Sequence, residues 1–180
     1  GADNFNYGLI FACGKGYLNL IKYMIKCGAD NFDQCLLYVC FNGNLNIVKC
    51  IIKQFSKGAV NLKNSFNYGL YNGCRNGHLN IVKYMVECGA NDFNHGLVCA
   101  CKNINLSKSI RLNIIKYMIE CSLSGINNTT STYQPVNINT GLNNACIYGH
   151  LDVDKYMVGC SYRGLNGDEV YDFKYCVIRA

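Results

Sequence analysis

The strongest constraint on this chain is a short pattern that returns five times along its 180 residues. A leucine followed four residues later by a cysteine opens each copy, at Leu9, Leu36, Leu70, Leu97 and Leu142. A second leucine, followed four residues later by a lysine, comes next, at Leu18, Leu45, Leu79, Leu112 and Leu151. Nine residues separate the two leucines in four of the five copies. Self-similarity at a nearly fixed spacing is typical of repeat proteins, so we expect a stack of similar units.

Each copy is predicted to form two short helices. In the second helix of the first copy, Leu18, Ile21 and Ile25 fall on one helical face and the lysines on the other. Gly28 is placed to end this helix, since glycine readily takes the left-handed conformation of a helix terminus. Two sets of polar residues are able to cap the first helices, and both stay open: Asn4, Asn31, Ser65, Asp92 and Asn137, or Asn6, Asp33, Asn67, Asn94 and Asn139. Such short helices cannot bury their apolar faces alone, which is why the units stack.

Three phrases recur in a fixed order within the copies. Gly-Ala-Asp begins at Gly1, Gly-His-Leu contains His78 and later His150, and Ile-Val-Lys-Tyr-Met begins at Ile81. Together they resemble the ankyrin repeat. The stretch Asn-Asp-Phe-Asn-His-Gly-Leu most closely resembles the shortened ankyrin arrays of giant DNA viruses. The resemblance covers roughly residues 1–161.

The resemblance implies an all-α fold, an ankyrin-like helical solenoid of about five stacked helix-turn-helix repeats. The first unit has 27 residues, whereas the family unit has about 33. The loss falls where the family carries a projecting β-hairpin finger, so we expect reduced fingers. The predicted units lie near 1–27, 28–57, 58–88, 89–121 and 122–161, and residues 162–180 form a C-terminal cap or the start of a further unit.

Two insertions interrupt the pattern. One spans about residues 105–111 and carries Lys108 and Arg111, and the other spans about residues 124–136. Insertions in solenoids map to surface loops, so both are predicted to be loops. A functional role and simple loop growth both stay open. The chain also starts at a repeat boundary without a methionine, so we expect it to be a piece of a longer protein.

The 13 cysteines follow the repeat. Nine of them occupy two equivalent positions, at the ends of the first helices (Cys13, Cys40, Cys74, Cys101 and Cys146) and of the second helices (Cys27, Cys88, Cys121 and Cys160). Cysteine behaves as a small buried apolar residue, so we expect reduced core thiols and a reducing compartment, the cytoplasm, including that of a host cell, or a virion. Cys74 with His78, and Cys146 with His150, supply too few ligands for zinc. No metal or cofactor is expected.

The lysines of the pattern, Lys22, Lys49, Lys83, Lys116 and Lys155, form a column on the second helices. We interpret the column as a solvated face, because the net charge of +6 is mild. A basic stripe for nucleic acid is a distant alternative. Three histidines, two of them in Gly-His-Leu, offer few candidates for acid–base catalysis, so no enzyme is expected. No apolar run approaches the length of a membrane span.

Positions that vary between copies, beside others that do not, indicate where a partner binds. By resemblance, recognition of another protein, from a host or a virus, is expected on the concave face built from the first helices. The predicted contacts are Tyr7, Phe11, Gln34, Tyr38, Phe41, Tyr68, Asn72, Arg75, His95, Lys102, Asn144 and Tyr148. The recurring Phe5, Phe32, Phe66 and Phe93 are instead predicted to pack in the core. An alternative is a structural component of a viral particle or another large assembly, stacked on further repeats or subunits.

Overall fold

Ten helices account for most of the residues that the computed structural model describes, which are 2–55, 63–124 and 136–161. They are α1 (Ala2–Lys15), α2 (Leu18–Lys26), α3 (Phe32–Asn42), α4 (Leu45–Phe55), α5 (Lys63–Asn76), α6 (Leu79–Glu87), α7 (Phe93–Lys102), α8 (Lys108–Ser124), α9 (Ile138–Ile147) and α10 (Leu151–Ser161). Within these ranges there is no strand. Short connections, such as 27–31 between α2 and α3, replace hairpin fingers.

The helices group into two compact units, residues 1–90 and 91–180. In the first unit α3 packs between α1 and α5, and each of these helices packs against the helix that follows it in sequence. In the second unit α7 packs on α9, and α8 and α10 follow them as the second helices. The predicted all-α helical-repeat fold is thereby confirmed. The boundaries of the five predicted repeats stay a prediction.

Local signals explain where several helices begin and end. The Asp92 carboxylate accepts a hydrogen bond from the His95 backbone N–H at 3.1 Å, so Asp92 caps α7. Asn137 caps α9 in the same way. Gly28 follows α2 with a φ of 95°, as predicted for a helix terminus. By contrast, α1 and α5 begin before either predicted cap position.

The core is made of the repeated apolar positions. The first leucine and its cysteine are completely buried in four helix pairs, at Leu9 and Cys13, Leu36 and Cys40, Leu70 and Cys74, and Leu97 and Cys101. Three methionines of the second helices, Met85, Met118 and Met157, are buried as well. Glycines just before the leucine let Met85 and Met157 approach the first helix. A Cβ added at Gly69 would lie 2.5 Å from the Met85 sulfur.

The first repeat keeps aromatic surface that later repeats cover. Phe5 is 37% exposed, whereas its equivalent Phe93 is 8% exposed. In two later repeats a lysine of the preceding repeat lies over the tyrosine of the second helix, with Lys49 Nζ 5.2 Å from the ring centroid of Tyr84. The equivalent tyrosine of the first repeat, Tyr23, is 60% exposed. The prediction that the recurring phenylalanines pack is therefore wrong at Phe5, which is exposed.

The lysine column lies on the second helices, as predicted, and four of its five side chains are exposed: Lys22, Lys49, Lys83 and Lys155. Lys116 is half-buried and lies 5.3 Å from the ring centroid of Tyr156. Two of the column lysines thus make cation–π contacts that join one repeat to the next.

The predicted first insertion is largely helical rather than a loop. Lys108 and Arg111 belong to the first turn of α8, and the Arg111 side chain is only 3% exposed. Its guanidinium donates hydrogen bonds to the carbonyl oxygens of Asn103 (3.2 Å) and Leu106 (2.9 Å). These bonds satisfy Nη2 of the buried guanidinium and fix the connection from α7, whereas the buried Nε has no hydrogen-bond partner.

Most of the predicted second insertion, and the whole 162–180 tail, lie outside the described residues. The end of that insertion is buried at Val136. The Val136 backbone N–H donates to the Ser122 hydroxyl at 2.7 Å.

Gly69→Ala is expected to destabilise the fold although alanine favours helices more than glycine. The new methyl group would clash with the buried Met85 and approach the Cys40 sulfur at 3.2 Å. We expect the free energy of unfolding, measured with urea, to fall by about 1–3 kcal/mol. Gly14→Ala is the matched control on α1, since nothing lies within 4 Å of its added Cβ. It should stabilise by up to about 1 kcal/mol, and a similar gain at Gly69 would contradict the packing described.

Candidate functional site

A groove of about 830 Å³ runs along the exposed side of α1, α3 and α5 in the first unit. Six of the predicted contact residues line it: Tyr7, Phe11, Gln34, Tyr38, Phe41 and Asn72. We call this surface the aromatic groove. It lies on the first helices, and the lysine column lies on the second helices, so the two surfaces use different elements.

Helical periodicity explains why these side chains share one surface. On α1 the groove residues Tyr7, Phe11 and Gly14 are spaced by four and three positions, which puts them on one helical face. On α3, Gln34, Tyr38 and Phe41 repeat that spacing. The buried leucine and cysteine of each helix occupy the opposite face, so the packing of the core directs the aromatic side chains outward.

The groove exposes an unusual amount of aromatic surface. Tyr7 is 75% exposed, and Phe11, Tyr38 and Phe41 are each about half exposed. Ile10 and Leu37 are half-buried residues that also line it. Clustered apolar side chains on a protein surface commonly mark an interaction site.

Hydrogen bonds from α1 to α3 hold the groove walls at both ends. At one end the Asn42 side-chain amide donates to the Gly14 carbonyl oxygen at 2.6 Å. At the other end Asn6 Oδ1 accepts from the backbone N–H groups of Asp30 (2.9 Å) and Asn31 (3.0 Å). The helices that carry the aromatic side chains are therefore held in a fixed relation before any partner arrives.

One cation borders the groove. Lys15 lines it, in the last turn of α1, and its ammonium nitrogen lies 5.9 Å from the centroid of the Phe11 ring. The lysine side chain therefore lies back over the groove wall, where its charge adds a cation–π contact. At the opposite end Asn6 and Asn31 line a smaller cavity of about 310 Å³ together with Tyr7, Ile10 and Gln34.

The other six predicted contacts do not line the groove. Tyr68 and Arg75 are exposed on α5 of the same unit, where Tyr68 packs edge-on against Tyr71. The remaining four belong to the second unit: His95, Lys102, Asn144 and Tyr148. Tyr148 stacks on His150 with ring centroids 6.4 Å apart. The structure thus brings together half of the predicted site.

Five groove residues are outside the predicted set: Ile10, Gly14, Lys15, Leu37 and Asn42. The signal that finds Ile10 and Leu37 is their position three residues after Tyr7 and Gln34, which puts them on the same helical face. Aliphatic residues in a helical repeat are more typical of the core, so their residue type alone does not indicate a surface site.

The two Gly-His-Leu histidines have structural surroundings. His78 Nε2 lies 3.0 Å from the Phe41 carbonyl oxygen of the preceding repeat, as expected for a histidine that binds backbone. His150 is buried, and burial, followed by the nearby Arg111 charge, lowers its pKa. Nowhere in the described ranges do three or more His, Cys, Asp or Glu side chains cluster in a way that would hold a metal ion.

The cysteines are mostly free thiols. Eleven of them are free, including the buried Cys13, Cys40, Cys74 and Cys101. Burial raises the pKa of Cys101 to about 12, so this thiol is a poor nucleophile. The expectation of reduced thiols is wrong at Cys146, which is disulfide-bonded. Its side chain is half-buried, whereas the four equivalent sulfurs are sealed in the core. Cys176 lies outside the described residues.

A carboxylate of α10 lies near a buried cation in the second unit. Arg111 Nη1 lies 4.0 Å from an Asp152 carboxylate oxygen. Two residues further along α10, burial and then the Asp152 charge raise the pKa of Asp154 to about 6. Asp154 is therefore a carboxyl group that the fold disfavours in its charged form.

Comparison with known proteins supports the repeat assignment. Residues 9–96, just under half of the chain, match the family model described as ankyrin repeats (3 copies). This segment contains ankyrin repeats. Ankyrin repeats are in general protein–protein interaction modules, and proteins built from them are typically not enzymes. The matched segment includes every residue of the aromatic groove except Tyr7.

The search of curated proteins found no match to this ankyrin-repeat chain. Among the described residues, none of the helices combines the length and apolar character that crossing a membrane requires.

Asp154→Asn is expected to change how stability depends on pH. Because the pKa of Asp154 is raised from 3.8 in the unfolded chain to about 6 in the fold, the stability that its protonated form contributes is lost as the pH rises between these values. At pH 8 the variant should be more stable by about 1 kcal/mol, allowing for the screening of a partly exposed group. The measurement is urea unfolding from pH 4 to pH 8.

Glu87→Gln, which neutralises an exposed carboxylate on α6, is the control for charge alone. It should leave the shape of the pH profile unchanged. A profile of Asp154→Asn that overlays the wild-type profile would show that burial at this carboxyl has no energetic effect.

Proposed function

We propose that this ankyrin-repeat protein is a non-enzymatic interaction module that binds a partner protein in the aromatic groove. The observation that supports this most directly is the set of four exposed aromatic side chains, Tyr7, Phe11, Tyr38 and Phe41, on one face of two neighbouring helices. Tyrosine and phenylalanine are enriched in protein interfaces, and large aromatic anchors carry much of the binding energy.

The rigidity of the groove supports the same proposal. Its aromatic side chains project from helices whose core faces are completely buried at Leu9 and Leu36. The amide of Asn42 and the side chain of Asn6 tie the two helices together. A site that is ordered before binding loses less conformational entropy when the partner arrives. Its volume of about 830 Å³ suits a few side chains of a peptide or loop.

The chemistry of the groove argues for binding rather than catalysis. Its titratable lining residues are two tyrosines, Tyr7 and Tyr38, and one lysine, Lys15. General acid–base catalysis most often uses histidine, aspartate or glutamate, and none of these residue types lines the groove. The partner proposed is therefore a protein, of host or viral origin. Among the described cysteines eleven are free thiols and Cys146 is disulfide-bonded. The predominance of free thiols supports a reducing compartment, such as cytoplasm, or a virion.

The double variant Tyr38→Ala with Phe41→Ala is expected to abolish partner binding without unfolding the chain. Partners captured from cell extract by the wild-type chain are identified, and their affinity for each variant is measured by biolayer interferometry. Loss of two aromatic anchors should raise Kd by about 30-fold or more, since a single anchor contributes about 2 kcal/mol. Both side chains are about half exposed, so the thermal midpoint should change little.

Tyr23→Ala is the matched control, since Tyr23 is equally exposed but lies on α2, outside the groove. It should bind like the wild type. A partner that binds the double variant with unchanged affinity would show that the groove is not its binding site.

A second candidate function is a structural role in a viral particle or another large assembly. It is favoured by the exposed aromatic side chains of the first repeat, Phe5, Tyr17 and Tyr23, which we call the first-repeat face. Residues equivalent to Tyr17 and Tyr23 contact the preceding repeat elsewhere, as His78 and Tyr84 do. This face therefore has the composition of a stacking interface.

An assembly subunit is expected to associate through the first-repeat face. Sedimentation velocity should then show a sedimentation coefficient that rises with concentration, because exposed aromatic surface is buried on association. Tyr17→Glu combined with Tyr23→Glu should abolish the rise, and Tyr68→Glu, on exposed α5 surface, should not. A wild-type chain that stays monomeric at high concentration would exclude self-assembly through this face.

A further inference from the structure

We infer that the segment bound in the aromatic groove is acidic, with a carboxylate next to an aromatic or aliphatic side chain, and that this carboxylate lies at the Lys15 end. The inference rests on the proposed function and specifies the chemistry of its partner. It is carried by the distribution of charge around the groove.

The first unit holds most of the positive charge of the chain. Residues 1–90 contain nine Lys and Arg and four Asp and Glu, in a chain whose net charge is +6. Of the residues that line the groove, Lys15 alone has a formal charge. An acidic partner is therefore attracted to this unit at a distance and meets a cation at the site itself.

The charge is also unequal between the two ends of the groove. Lys15 lies in the last turn of α1, and Arg75 lies in the last turn of α5, three residues beyond the groove residue Asn72. Residues three apart are neighbours on a helix, so the exposed Arg75 adds to the positive potential of this end.

The opposite end carries the carboxylates. Asp30 and Asp33 lie where α3 begins, and they accept hydrogen bonds from Asn6 and Ser65. These donors are neutral, so they do not offset the charge of either carboxylate. A bound acidic group is therefore favoured at the Lys15 end and disfavoured at the Asp30 end, which gives the ligand a direction.

The position of Lys15 over Phe11 links the charge to the apolar anchor. The ammonium nitrogen lies 5.9 Å from the ring centroid, so a carboxylate that pairs with it sits beside exposed aromatic surface. A neighbouring aromatic or aliphatic side chain of the same segment then packs among Phe11, Tyr38 and Phe41. A lysine at a helix end also offsets the helix dipole, but that role alone does not require the side chain to lie along the groove.

The test is selection of peptides from a random displayed library on the full chain. Selected peptides are expected to carry net negative charge and an acidic residue adjacent to an aromatic or aliphatic one. For a synthetic copy of the most enriched peptide, Lys15→Glu should raise Kd about tenfold or more, and so should a rise of ionic strength to about 1 M. Lys22→Glu is the matched control, since it makes the same charge change on α2, away from the groove.

The outcomes separate this inference from the proposed function. Peptides that lack an acidic preference but lose binding with Tyr38→Ala and Phe41→Ala overturn the inference and leave the groove as a binding site. An equal loss of peptide affinity in Lys15→Glu and Lys22→Glu also overturns it, because the loss would then come from the total charge of the chain. Failure to select any peptide that depends on the groove overturns it as well. Peptides that bind the double variant as tightly as the wild type count against the proposed function itself.

Discussion

Burial of the leucine and cysteine stripe of each first helix is the interaction on which the rest of the structure depends. Helices of this length are marginal in water by themselves, whereas a fully buried leucine contributes about 1.5–3 kcal/mol. Leu36 and Cys40 of α3 are completely buried between neighbours on both sides. The stripe therefore determines how each helix is rotated about its axis, and the small cysteine lets adjacent helices approach closely.

The rotation of each first helix also determines which of its side chains are exposed and able to contact a partner. Once Leu36 and Cys40 face inward, Gln34, Tyr38 and Phe41 must face outward, because they occupy the other side of the same helix. Outward positions have no packing role, so aromatic residues there cost little stability. One side of each first helix thus forms the core, and the other side forms the groove. A chain with a regular core can therefore present a specific surface.

Features that depend on one repeat were predictable from sequence, and features that depend on neighbours were not. Local periodicity predicts the helix pairs, the buried leucines and the glycine after α2. Positions that vary between copies predict six of the groove residues. The exposure of Phe5 was not predictable, because the equivalent Phe93 is buried at the same position of its repeat. Arg111 resembled a loop cation, since its hydrogen-bond partners, Asn103 and Leu106, are recognisable only once the α7–α8 connection is folded. The disulfide state of Cys146 likewise depends on a second cysteine at bonding distance, which the repeat pattern does not encode.

The lysine-over-tyrosine contact between successive repeats has a consequence for how such a chain changes length. Lys49 and Tyr84 come from two adjacent repeats, as do Lys116 and Tyr156. Each contact therefore pairs the lysine of one repeat with the tyrosine ring of the next. Removal of the α3–α4 pair would make Lys22 the lysine that precedes Tyr84. A lysine and a tyrosine would then meet again where the two repeats pack. A gene encoding this array can therefore lose or gain whole repeats without a new kind of contact between repeats.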